Sequence, residues 1–100
     1  MKFEIAPKST EIQANWEDAR LYCFALNVDG KTGWRLPTKE ELIEIYQSEN
    51  DFCDGSYWSS TVGLIAYERY WVQHFDNGQL NVGKKSYCHY IRAVRYLKDD

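Results

Sequence analysis

Long apolar runs are missing from this sequence. No stretch of its 100 residues is long enough to span a bilayer, and the first ten, with Lys2, Glu4, Pro7 and Lys8, hold no apolar segment of signal-peptide length. No membrane insertion is expected. The cytosol is the compartment expected for the chain as it stands, and the outside of a cell or virion if it is part of a longer one. Positive charge is also in short supply: 12 Lys and Arg face 15 Asp and Glu, for a net charge of -3, which offers nucleic acid no long-range attraction. The late basic residues Lys84, Lys85, Arg92, Arg95 and Lys98 fall at strand spacing and read as a solvated face. Cysteines number three, an odd count that leaves at least one thiol unpaired and suits a reducing compartment. With no Cys-x-x-Cys pair, a zinc site from Cys23, Cys53, Cys88 and His89 has the ligand types without the spacing, so no metal or other cofactor is expected. A Cys53–Cys88 disulfide is one of three pairings that the sequence leaves open. No Gly-x-Ser-x-Gly surrounds Ser59 or Ser60, so joining either to His74 and Asp76 supplies residue types but no nucleophile turn. Linkers, repeats and low-complexity tracts are absent, and a single domain over residues 1–100 follows.

What the chain does have is rings: 16% of it is aromatic, with four Trp and eight Tyr. Side chains of this size dominate small cores. Asn15 is a good N-cap for a helix whose first turn carries Glu17 and Asp18, and Trp16, Ala19, Cys23 and Leu26 recur at spacings of three and four, so Cys23 reads as a core thiol. Asp29-Gly30 supplies the stop. Thr38 to Glu41 is a capping box, followed by a stripe of Leu42, Ile45 and Tyr46, and Pro37 holds Leu36 extended on the approach. Gln47 to Ser56 breaks both periodicities and reads as a loop. Tyr57 to Thr61 reads as a short strand. Tyr67 to Phe75 alternates as a second, Asp76-Asn77-Gly78 makes a hairpin turn, Gln79 to Gly83 returns, and Cys88 to Tyr96 closes. Helices followed by strands indicate an α+β domain.

Three readings bear on function, two of them structural. Arg35, between Trp34 and Leu36, sits where a covered guanidinium needs a carboxylate or carbonyls, and it reads as a structural clamp. Trp58, ahead of Ser59, Ser60 and Thr61, reads as a core ring. Val62 to Ala66, by contrast, is an apolar loop where polar turn chemistry is expected, and exposed apolar patches mark interaction sites. If Trp71 and Phe75 point inward, Tyr70 and His74 point out beside that loop. Leu64, Tyr70 and His74, with Asp54 in the Asp51 to Gly55 loop, are the candidate ligand-binding residues.

Several segments resemble one known family. Asn15-Trp16-Glu17-Asp18-Ala19 with Cys23, Gly33-Trp34-Arg35-Leu36-Pro37-Thr38 with Glu41-Leu42, and Tyr57-Trp58-Ser59-Ser60-Thr61 are similar to the bacterial Lcl C-terminal domain family. So are Trp71-Val72 with Phe75 and Gly78, and Tyr90-Ile91-Arg92-Ala93-Val94-Arg95. The matches run in the family's order from Asn15 to Tyr96. The resemblance implies a C-type-lectin-like fold, distantly similar to the formylglycine-generating and sulfatase-modifying proteins: two helices on a small twisted antiparallel sheet with long loops. It makes Trp16, Cys23, Trp34, Arg35, Thr38, Glu41, Trp58, Trp71, Phe75 and Arg92 scaffold, and it implies adhesion through a protein or glycan partner. Ala93 stands where the family commonly has a cysteine, which removes a Cys23 disulfide to that site. No Glu-Pro-Asn, Gln-Pro-Asp or Trp-Asn-Asp triplet encodes the sugar-binding calcium site of lectins. The expected function is a non-catalytic binding module. Its rivals are a small formylglycine-type or hydrolytic enzyme using Cys53 or Cys88 with His89, and a self-associating head or cap of a collagen-like stalk or phage appendage.

Overall fold

The structure is a computed structural model and describes residues 2–48, 51–64 and 68–97. In chain order its elements are β1 (Phe3–Ile5), a 3-10 turn (Lys8–Thr10), β2 (Ile12–Ala14), α1 (Trp16–Ala25), α2 (Lys39–Ser48), β3 (Ser56–Leu64), β4 (Arg69–His74), β5 (Leu80–Lys84), β6 (His89–Ile91) and β7 (Val94–Tyr96). Both helices begin where local chemistry demands. The Asn15 side chain accepts from the Asp18 amide at 2.9 Å, and Thr38 Oγ1 accepts from the Glu41 amide at 3.1 Å while Glu41 reaches back to the Thr38 amide at 2.8 Å. Helix α1 stops at Ala25, ahead of the expected Asp29-Gly30 signal. Those two residues instead form a tight turn, bridged between Val28 and Lys31, with φ of 51° and 84°. The Asn77-Gly78 turn is where the sequence puts it, with Gly78 at φ 78° under the Tyr46 ring.

Five strands form one sheet in the order β2-β6-β3-β4-β5, and β1 pairs with β7 in a separate ribbon. The expected all-antiparallel sheet is corrected here, because β6 runs parallel to β3 at Tyr57 and Tyr90. Alternation fixes which face a side chain takes, but it carries no information on the direction of a neighbour distant in sequence. The expected single closing strand is divided. Arg92 turns its side chain into the protein and Ala93 accepts from the Ala6 amide at 2.9 Å, so the chain leaves β2 after Ile91 and joins β1 at Val94. Strand β3 also extends past Thr61 to Leu64, with register shifts on the way, so Val62 and Leu64 are strand and not loop. Residues 65–67 and the Leu64 side chain lie outside the described residues.

Both sheet faces are covered. On one, Trp58 and Val72 pack with Trp16, Ala19 and Cys23 of α1 and with Trp34, Leu36 and Ile91. Burial pushes the Cys23 thiol up to about 12, as befits a core residue. On the other, Phe75 stacks with Phe52 and meets Tyr46 of α2 edge-on, while the Lys39 ammonium sits 4.5 Å over Trp71. Tyr70 therefore does not point into solvent. Its ring stacks at 3.7 Å on Trp16 because α1 closes the face expected to be open.

Candidate functional site

The two signature segments of the sequence meet in space. Ser60 N donates to Pro37 O at 2.8 Å, and Lys39 N donates to Thr61 Oγ1 at 2.8 Å, so the Trp34–Thr38 segment is laced to the bulged part of β3. Arg35 exchanges two backbone hydrogen bonds with Val94 and forks onto both Glu41 oxygens at 2.7 and 2.8 Å. Burial works to raise the Glu41 carboxyl, but the guanidinium and the Thr38 amide outweigh it and hold it below its ordinary value. The same guanidinium lies over the Tyr96 ring, 3.9 Å from its centroid.

Between this segment and α1 a cleft of 330 Å³ opens, walled by Trp16, Arg20, Phe24, Trp34, Arg35, Leu36 and Ser60. Phe24 is 81% exposed at its lip, and Leu21 is 51% exposed on the same helix. Most polar groups around it already have partners within the protein. Trp16 Nε1 donates to Ser59 O and Trp34 Nε1 to Lys31 O, Arg20 forks onto Glu17, and Arg35 is held by Glu41. An open, mostly apolar cleft with few free donors recognises shape and apolar surface more than hydroxyl patterns. Sequence reading missed Phe24, although a signal existed: it falls one residue after Cys23, about a quarter turn off the buried stripe, where a ring has no core to enter.

The residues singled out from the sequence do not gather in this cleft. Asp54 is exposed in its loop, and Tyr70 backs Trp16 from the core side. Ser59 is fully buried and Ser60 donates toward Pro37 O, so neither meets His74. His74 Nδ1 instead shares a 2.7 Å hydrogen bond with Ser56 Oγ, its cross-strand partner. Cys23 is a buried thiol, Cys53 is half-buried and Cys88 is exposed, all unpaired. No metal-holding group of three His, Cys, Asp or Glu occurs among the described residues, nor any helix long and apolar enough to cross a membrane.

Near Ser56 and His74, burial first and the neighbouring His74 second hold His89 below the ordinary histidine value of 6.5. The unfolded chain then takes up a proton near 6.5 that the folded one resists, so stability is full above that pH and falls as pH drops through and below it. Urea midpoints at pH 7.5, 6.0 and 5.0 are expected to decline, and His89→Asn to flatten the decline; parallel pH profiles for the two proteins would assign it to other groups.

Arg92, expected both within a solvated basic row and as scaffold, is 3% exposed. Its Nε donates to Ala6 O at 2.6 Å, Nη1 to Glu11 at 3.2 Å and Nη2 to Asp51 at 2.8 Å. The Tyr57 hydroxyl donates to the same Glu11 oxygen at 2.7 Å and accepts from the Cys53 amide. These groups knit the N-terminal arm, the loop before β3 and the β6–β7 crossing into one framework. No curated protein matches the chain. The sequence pattern of the Lcl C-terminal domain does match, over residues 4–95, from the arm that Arg92 ties down through both helices to the last strand, and the chain belongs to the Lcl C-terminal domain family.

Proposed function

We propose that this domain is a non-catalytic binding module on a C-type-lectin-like scaffold, and that the α1 cleft takes an apolar anchor side chain from a protein partner. The observation that carries the reading is Phe24, a ring 81% exposed at the lip of an open cleft floored by two tryptophans. Trp, Tyr and Arg dominate binding hot spots, and exposed apolar surface beside a cleft, here Phe24 with Leu21 on the same helix, marks interaction sites. Glycans are the weaker fit. A sugar needs many donors and acceptors, and here both indole N–H groups are taken by the protein itself, while Arg20 and Arg35 are each engaged by a carboxylate, Glu17 and Glu41.

Phe24→Asp tests the cleft. It is expected to leave the unfolding free energy within about 0.5 kcal/mol of the parent, as exposed substitutions do, and to weaken partner capture about 30-fold, the effect of losing roughly 2 kcal/mol of hot-spot energy. Quantitative capture from a cell lysate, with cross-links mapped to α1, reads the partner arm, and a glycan array reads the other. Partners captured equally by Phe24→Asp, or array binding abolished by it, sink the protein-anchor reading. A hydrolytic reading rests on the Ser56–His74 hydrogen bond. Cross-strand polar pairs of this kind also form for stability alone, and ester turnover lost on Ser56→Ala would replace the binding reading.

A further inference from the structure

The end of the β4–β5 ladder away from the Asn77-Gly78 turn holds an arrangement that is unfavourable as it stands. Arg69 and Lys84 are direct partners across the ladder. Like charges opposite one another on a sheet repel. Neither makes an ion pair among the described residues; Lys84 has the Tyr87 ring at 5.8 Å as its neighbour, and Arg69 Nε is shielded from water with no hydrogen-bond partner. Two other arginine Nε atoms are similarly placed, Arg35 and Arg95. Arg35 already grips Glu41, and Arg95 Nε lies 3.1 Å from Glu4. Arg69 has no such carboxylate among the described residues. A shielded, unpaired guanidinium N–H beside a second cation is a donor set without an acceptor.

These two residues, with Glu68, Lys85 and Ser86, line an open recess of 460 Å³. Lys85 reaches Glu17 at 3.2 Å and Glu68 at 3.6 Å, and Glu17 is shared with Arg20. The lining thus holds the three cations Arg69, Lys84 and Lys85 against the one carboxylate Glu68, a surplus of two positive charges. We propose that this recess binds a phosphate monoester as its dianion, with the Arg69 guanidinium donating to its oxygens and Lys84 and Ser86 closing around it. The charge surplus matches a dianion and exceeds what a carboxylate or a sulfate monoester brings, and Arg suits the geometry of phosphate oxygens. Bound phosphate offsets the Arg69–Lys84 repulsion and gives the guanidinium an anionic partner. The recess shares no lining residue with the Phe24 cleft.

Methyl phosphate is the probe, titrated into the full chain and followed by proton–nitrogen NMR. At pH 7.5 the Arg69 Nε–H and the Lys84 and Ser86 amides are expected to shift and saturate. Lys84→Gln, at an exposed position, is expected to weaken the affinity at least about tenfold, roughly the 1.4 kcal/mol of one charge-assisted contact, and Arg69→Gln to abolish saturation. Lowering the pH to 5, below the ester's second ionisation at about 6, is expected to weaken binding severalfold. Methyl sulfate and acetate are expected to give weak shifts without saturation. Unsaturable shifts with methyl phosphate, an unchanged titration in Lys84→Gln, or methyl sulfate binding as tightly as methyl phosphate each overturn the proposal.

Discussion

Arg92→Ala is expected to destabilise the domain by about 3–5 kcal/mol, the usual cost of removing one partner from a buried ionic cluster. Against a total stability of order 5–15 kcal/mol, that lowers the melting temperature by at least about 12 °C, given roughly 4–8 °C per kcal/mol in a chain of this size. The reason lies in what is left behind. Glu11, whose side chain is 9% exposed, loses its closest guanidinium and keeps Tyr57 at 2.7 Å and Lys8 at 3.5 Å. Ala6 O loses a donor, and Phe52 loses the cation 4.6 Å from its ring. If the stranded carboxylate is the main penalty, adding Glu11→Gln to Arg92→Ala restores part of the loss, so the double variant is more stable than the sum of the singles. Urea unfolding of the four proteins of the cycle measures this directly. A loss below about 1 kcal/mol for Arg92→Ala would mean that the cluster behaves as a solvated surface pair and does not hold the N-terminal arm.

Arg92 also marks where sequence reading stops. The strands on either side of it, β6 and β7, belong to different sheets, a change of partner that no local pattern announces. What was legible was what is decided within a few residues: the Asn15 cap, the Thr38–Glu41 box, the Asn77-Gly78 turn and the inward stripe of Trp16, Ala19 and Cys23. The Arg35 clamp was legible for the same reason, since its carboxylate stands only six residues on, in Glu41. Strands β1 and β2 were missed because three residues each are too few to establish a period of two, and their partners lie at the other end of the chain, Phe3 against Tyr96 and Ile12 against Ile91. The parallel β3–β6 pair escaped on the same grounds. The surface setting of Tyr70 was illegible for a different reason. Tyr70 and His74 were placed on an outward face by correct alternation, but alternation says nothing of whether a helix covers that face, and α1 covers it with Trp16. The open ring is Phe24, on that same helix.

Trp58→Ala is expected to cost about 3–5 kcal/mol, the range for emptying a large aromatic site in a core. The ring is fully buried at the centre of the α1 face, its Nε1 donates to Ala14 O at 3.0 Å, and it meets His89 edge-on at 4.6 Å. Gly83 is what lets it reach so far across the sheet, since a Cβ there would lie 3.2 Å from the tip of the indole. Trp58→Phe separates volume from hydrogen bonding. It keeps most of the packing but leaves the Ala14 carbonyl without its donor, for a loss of about 1–3 kcal/mol. Trp71→Ala, at a half-buried ring roofed by the Lys39 ammonium, should cost less than Trp58→Ala because water and Lys39 can fill the space. The expected order of urea midpoints is therefore parent, Trp58→Phe, then Trp58→Ala, with Trp71→Ala above Trp58→Ala. Equal losses for Trp58→Phe and Trp58→Ala would locate the cost in the Ala14 bond. Equal losses at positions 58 and 71 would mean that the two faces are sealed alike, and that α1, with the cleft it carries, is no better anchored than α2.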